Sequence, residues 1–135
     1  MNHQKMITKY FDFLLGYNFT KKKFTNGTDN DICYRNRKSN ITIIIYFDMV
    51  ISEDIFNLND KLDSNDFDKQ IELHSHFDVW LTVEKNGENH NVLSCKLFDS
   101  ISRETMVKNI TNCKDMGMKL KIYSDFIKSN LNQLL

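Results

Sequence analysis

The chain has 135 residues, of which 41% are hydrophobic, 27% charged and 12% aromatic; the length suits a single domain of the usual ~100–200 residues, and the apolar content excludes disorder by composition. Eighteen Lys and Arg balance eighteen Asp and Glu, which excludes a strongly basic nucleic-acid arm and a polyacidic tail. The three cysteines, Cys33, Cys95 and Cys113, lack Cys-x-x-Cys spacing and point to a reducing compartment.

The first residues, MNHQKMITKYFDFLLGYNF, have their longest apolar run broken by Asp12 and contain no small-residue cleavage site, unlike a signal or transit peptide. No run approaches the ~18 apolar residues of a membrane span. The expectation is a soluble cytoplasmic protein without membrane association. From His3 to Gly16 the apolar residues Met6, Ile7, Tyr10, Phe11 and Leu14 recur at spacings of three and four, the stripe of an amphipathic helix, with Gly16 as its stop. Tyr17 to Phe24 alternates weakly, Asn26-Gly27 signals a turn, and Ile32 to Tyr34 begins a second extended run.

Ile41 to Phe47 reads ITIIIYF, with Ile41, Ile43, Ile45 and Phe47 on one face and Thr42, Ile44 and Tyr46 on the other. Such β-branched and aromatic density predicts a strand covered on much of both faces, near the sheet centre. Residues 52–72 have no period and are rich in Asn, Asp and Ser, which predicts a long loop or a loop with a short helix. Phe77 to Val83 and Leu93 to Leu97 flank Asn86-Gly87 as a hairpin. A two-residue turn puts Leu93, Cys95 and Leu97 on the face opposite Phe77, Val79 and Leu81, whereas a three-residue turn unites all six, so three residues are expected. Ser102 caps a helix whose Met106, Val107 and Ile110 face inward, ending near Cys113. Met116, Leu120, Tyr123, Ile127, Leu131 and Leu134 form the stripe of a closing helix. The whole chain, residues 1–135, is thus expected to be one α+β domain: an antiparallel meander of four to five strands, with an N-terminal helix and two C-terminal helices packed on one face.

His74, His76 and Asp78 share one face of an extended segment, about 6–7 Å between successive positions, and supply the ligand types of a zinc or iron site. They are similar to part of the His-x-His-x-Asp-His motif of metallo-β-lactamase-like hydrolases, but Val79 stands at the final His position and the larger glycine-rich scaffold is absent. His90, across the hairpin, is expected to approach the same face. The plainer reading is that these histidines line the solvated side of a half-buried strand, with no cofactor. Trp80, the sole tryptophan, lies on that even-numbered face with Thr82 and Glu84. If the helices cover only the odd face, Trp80 is exposed and suits a protein interface, where large aromatics anchor binding; the alternative is that the loop of residues 52–72 folds over it.

Charge is uneven along the chain. Lys21, Lys22, Lys23, Arg35, Arg37 and Lys38 face only Asp29 and Asp31 in their stretch, beside Phe24 and Tyr34, whereas residues 52–72 carry Asp60, Asp63, Asp66 and Asp68 among their acids. The basic run reads as a solvated edge whose lysines block unwanted strand pairing, and nucleic acid is not the expected partner. The acidic loop lacks the glycine at the sixth position of an EF-hand. There is no Gly-x-Ser-x-Gly elbow, phosphate-cradling glycine loop or dinucleotide fingerprint.

The opening helix, the strand ending in Tyr46-Phe47-Asp48, the acidic mid-chain loop and the closing Tyr123-x-x-Phe126-Ile127-x-x-Asn130-Leu131-x-x-Leu134 helix resemble small bacterial α+β proteins, among them immunity proteins of polymorphic toxin systems. The resemblance is one of layout. It implies a stoichiometric inhibitor that binds a toxin domain through acidic and aromatic surface residues. The function expected is therefore non-enzymatic protein binding, with Trp80, Asp60, Asp63, Asp66 and Asp68 as the interface. The alternative is a metal-binding protein or metal-dependent enzyme using His74, His76 and Asp78.

Overall fold

The computed structural model describes residues 3–23, 32–47, 79–113 and 115–135. The apolar stripe of the first residues forms helix α1, His3–Phe11, which tightens into a 3-10 helix over Asp12–Tyr17. Three residues per turn keep Leu14 in line with Phe11, and Ile7, Phe11 and Leu14 are all fully buried. The expected stop at Gly16 is corrected. Asn18 takes the left-handed conformation (φ 66°) and returns its backbone N–H to the Leu14 carbonyl, because a short polar side chain tolerates that region best after glycine.

Strands β1 (Thr20–Lys23), β2 (Ile32–Asn36), β3 (Ile41–Phe47), β4 (Val79–Lys85) and β5 (Glu88–Asn91) form a five-stranded sheet in chain order. Every neighbouring pair is antiparallel. β3 is central, as its composition predicts. The register places Ile32 opposite Ile45, Tyr34 opposite Ile43, Ile43 opposite Val83 and Ile45 opposite Leu81, so the large residues of three strands form one continuous buried layer. The other face carries Cys33, Ile44, Tyr46, Trp80 and Thr82, of which only Cys33 and Thr82 are buried. On β3, Ile41, Ile43 and Ile45 are therefore fully buried on one face, while the other face is only partly covered.

The β4–β5 connection corrects the expected three-residue turn. Lys85 pairs with Glu88, which leaves the two-residue loop Asn86-Gly87, with φ of 53° and 83°, the backbone signature of the Asn-Gly hairpin turn. The parity conflict that argues for a longer loop vanishes because Leu93 to Leu97 is not a strand. β5 ends at Asn91, whose side chain accepts a 3.0 Å hydrogen bond from the Leu93 N–H and starts a 3-10 turn, Val92–Ser94. That turn rotates consecutive side chains, so Val92, Leu93 and Cys95 all enter the core without alternation.

Helix α2, Ser100–Thr111, is capped three residues before the expected position: Asp99 accepts from the Ser102 N–H at 3.1 Å. Met106, Val107 and Ile110 are buried. Helix α3, Met116–Leu134, is capped by Asp115 and buries Leu120, Tyr123, Ile127, Leu131 and Leu134, with Met116 partly covered. The stripes of all three helices join the Ile32–Tyr34–Ile43–Leu81 layer in a single core. The Lys85 ammonium ties the sheet to the end of α3 by donating to the Leu134 carbonyl at 3.2 Å, a favourable place for a cation at a helix C-terminus. The protein is thus an α+β domain with the helices on one face of an antiparallel meander. Among the described residues no helix is long and apolar enough to cross a membrane.

Candidate interaction surface

The sheet face opposite the helices is built by strand register. Across it run two ladders: Thr20, Arg35, Thr42, Glu84 and Asn89, then Lys22, Cys33, Ile44, Thr82 and Asn91. Beyond the second ladder, Tyr46 stands directly opposite Trp80. Their rings stack with centroids 5.2 Å apart and planes within 8°, and both residues are half-buried. Trp80 is therefore neither fully exposed nor a core residue. Cross-strand aromatic pairs of this kind stabilise a sheet and hold each other's rotamers.

The chemistry changes along β4. Next to Trp80 on this face comes Thr82, 8% exposed, whose hydroxyl has no hydrogen-bond partner among the described residues. Glu84 follows, half-buried. On β2, the Arg35 guanidinium donates to Thr42 Oγ1 at 2.8 Å and to Asn40 Oδ1 at 2.9 Å, so its charge is held at the turn end of the face. Burial pushes the Cys33 thiol above its ordinary pKa, while the cations of Lys22 and Arg35 pull it the other way; a neutral buried thiol is a poor nucleophile.

Several residues fall elsewhere than the sequence reading places them. His90 pairs with Val83, which puts it on the face opposite Trp80, with its ring 3.5 Å from Glu88. A two-residue turn reverses the parity on which its approach to the even face depended. His74, His76, Asp78 and the acidic residues Asp60, Asp63, Asp66 and Asp68 lie outside the described residues. Among the described residues no group of three or more His, Cys, Asp or Glu is placed to hold a metal ion.

The basic stretch is divided between faces. Lys21 turns inward and donates to Thr8 Oγ1 at 2.7 Å and Asp12 Oδ1 at 2.9 Å, whereas Lys22 and Arg35 share the outer face. Tyr34 is fully buried and offers no ring to a base. Sequence reasoning missed two contacts, one on each face of the sheet. The Tyr46–Trp80 pair was detectable only through the β3–β4 register, and Asp12 as the anchor of Lys21 and Tyr34 was signalled only by a charge interrupting an apolar run. Comparison with known proteins adds no constraint: no family model, curated protein or solved structure matches this chain.

Proposed function

We propose that this chain is a non-enzymatic cytoplasmic protein-binding protein, and within that class an immunity-type inhibitor of a toxin domain, with Trp80 as its anchor. The observation that carries the reading is the stacked, nearly parallel Tyr46–Trp80 pair, half-buried on the sheet face free of described helices. Two rings already held against each other lose little rotamer freedom when a partner covers them, and a pre-organised aromatic is the residue type that dominates protein interfaces. Glu84 on the same face forms no ion pair among the described residues, and it adds to the acids at Asp60, Asp63, Asp66 and Asp68. A basic partner is steered by those charges and retained by the aromatic pair.

The test is co-expression with the product of the adjacent reading frame. The expected result is restored growth and a one-to-one complex, with Trp80→Ala mainly accelerating dissociation and replacement of the four aspartates by asparagine slowing association and flattening its salt dependence. Before any partner is in hand, iodide should quench Trp80 partially; a complex that leaves this quenching unchanged would place the interface elsewhere. Absence of both rescue and complex would refute the immunity assignment.

A further inference from the structure

The tip of the β4–β5 hairpin combines an exposed asparagine with a following glycine. In such a pair the glycine nitrogen can attack the asparagine side-chain amide, because no Cβ shields the attacking atom. Asn86 and Gly87 are both exposed, and no atom beyond its chain neighbours lies within 4 Å of the place a Cβ would occupy on Gly87. Nothing steric therefore protects the tip. Protection comes instead from the backbone. The attack closes a five-membered ring, which needs the Gly87 nitrogen eclipsed with the Asn86 Cβ. A turn with φ of 53° and 83° is the mirror image of type I, which sets ψ of its first central residue at about +30°. At that angle the Gly87 nitrogen points away from the Asn86 side chain, roughly 150° from the eclipsed position.

Two contacts hold the tip in that geometry. The Asn86 N–H donates to the Asn40 carbonyl at 3.4 Å, and the Asn40 side-chain amide donates to Asn86 Oδ1 at 3.4 Å. Asn40 is itself left-handed, with φ of 54°, and its own Oδ1 accepts from Arg35 at 2.9 Å. The two asparagines thus clasp the β2–β3 and β4–β5 turns together, and Lys85 opposite Glu88 closes the hairpin beneath them. Rotating Asn86 toward ring closure carries Gly87 with it and breaks that pairing. We infer that Asn86 is a deamidation site gated by the fold: the closed hairpin holds it inert, and local opening releases it.

The chemistry needs only water. In the opened hairpin the Gly87 nitrogen gives its proton to solvent and bonds to Asn86 Cγ, and the side-chain nitrogen leaves as ammonia. Water then adds to either carbonyl of the resulting succinimide. Breaking the bond between the Gly87 nitrogen and Cγ returns an ordinary aspartate at position 86. Breaking the bond between that nitrogen and the backbone carbonyl carbon leaves Gly87 joined through the side chain, an iso-aspartate with an extra carbon in the main chain. A two-residue turn has no slack for that carbon, so Lys85 and Glu88 lose their pairing. Both products add a carboxylate beside Glu88. This tip lies at the opposite end of β4 from Trp80, and failure of the inference would leave the proposed function untouched.

The experiment incubates the full chain at about pH 8 in buffer and in unfolding urea. Peptide mapping assigns each product by position and separates Asn86 from Asn26, the other asparagine that precedes glycine. Asn86 should react at least about tenfold more slowly in the folded protein, which corresponds to an opening free energy of at least about 1.4 kcal/mol. Asn40→Gly keeps the left-handed backbone and removes the clasping amide. It should raise the folded-state rate at least about twofold and leave the rate in urea unchanged. The isolated iso-aspartyl form should unfold at lower urea than the parent. Equal rates in buffer and urea would overturn the gating, as would a folded-state rate indifferent to Asn40→Gly or an iso-aspartyl form as stable as the parent. A reaction in urea that spares Asn86 would overturn the site itself.

Discussion

Asp12 is a carboxylate in the apolar stripe of the first helical segment, and its contacts make a quantitative test of how α1 is held to the sheet. Its Oδ1 accepts from the Tyr34 hydroxyl at 2.8 Å and from Lys21 Nζ at 2.9 Å. Tyr34 is fully buried, whereas the Lys21 and Asp12 side chains are 18% and 36% exposed. Tyr34→Phe removes one charge-assisted hydrogen bond, worth about 1.5–3 kcal/mol. Asp12 keeps Lys21 and some water, so the loss should fall at the lower end. Asp12→Ala instead leaves the Tyr34 hydroxyl buried without its acceptor, a penalty of about 1–3 kcal/mol, to which the lost Lys21 pair adds a fraction because Lys21 retains Thr8. In the double variant the orphaned hydroxyl is absent, so Asp12→Ala should cost about 1–2 kcal/mol less there than in wild type. Urea denaturation of the four proteins at pH 7 measures this coupling directly. A coupling below about 0.5 kcal/mol would mean that the two groups act independently and that the contact does not hold α1 down.

The same contact has a pH signature. Burial, and next the hydrogen bond and negative charge of Asp12, push the Tyr34 pKa far above its ordinary value. In the unfolded chain a tyrosine ionises near pH ~10, while folded Tyr34 remains neutral. Stability from this group is therefore fully present below about pH 10 and declines above it, by about 1.4 kcal/mol per pH unit. Tyr34→Phe should flatten that alkaline decline.

Leu131 is 3% exposed in the α3 stripe, so Leu131→Ala should cost about 2–5 kcal/mol, and deletion from Tyr123 onward should abolish cooperative unfolding; an unchanged denaturation midpoint for Leu131→Ala would remove it from the core. Cys33 and Cys95 are buried with thiol pKa values raised chiefly by desolvation, whereas Cys113 is partly accessible. A thiol reagent at pH 8 should modify Cys113 first and the other two only on unfolding, and equal rates for all three would contradict the packing. Elemental analysis of purified protein should find no zinc or iron above background; stoichiometric metal lost on replacing His74 and His76 with alanine would favour the metal-binding reading over protein binding.

Much of this architecture was legible before any coordinate. Periodicity alone locates α1 and α3, because an amphipathic helix must repeat its apolar positions every three to four residues wherever it packs. Likewise ITIIIYF declares β3, since β-branched residues on both faces suit a strand between two neighbours. These are local properties, written in consecutive residues. What local pattern could not supply was the geometry at the joints. The two-residue Asn86-Gly87 turn conflicts with strand parity only while Leu93 to Leu97 is read as a strand. The 3-10 turn capped by Asn91 resolves that conflict through a hydrogen bond from the Leu93 N–H that no hydrophobicity pattern records. Once the turn is two residues long, His90 leaves the face of Trp80.

The candidate site was legible to the same depth. Trp80 was placed on the correct face of β4 by alternation, but its half-burial against Tyr46 depends on a strand more than thirty positions away in sequence. Lys21 illustrates the same limit, for its neighbours in sequence are basic and its partners, Thr8 and Asp12, belong to the opening helices. The sequence by itself determined which residues can be buried and on which side of each helix or strand they lie. The tertiary structure decided which buried residues meet, because turn length and strand register are set by the combined hydrogen bonding and packing of segments distant along the chain.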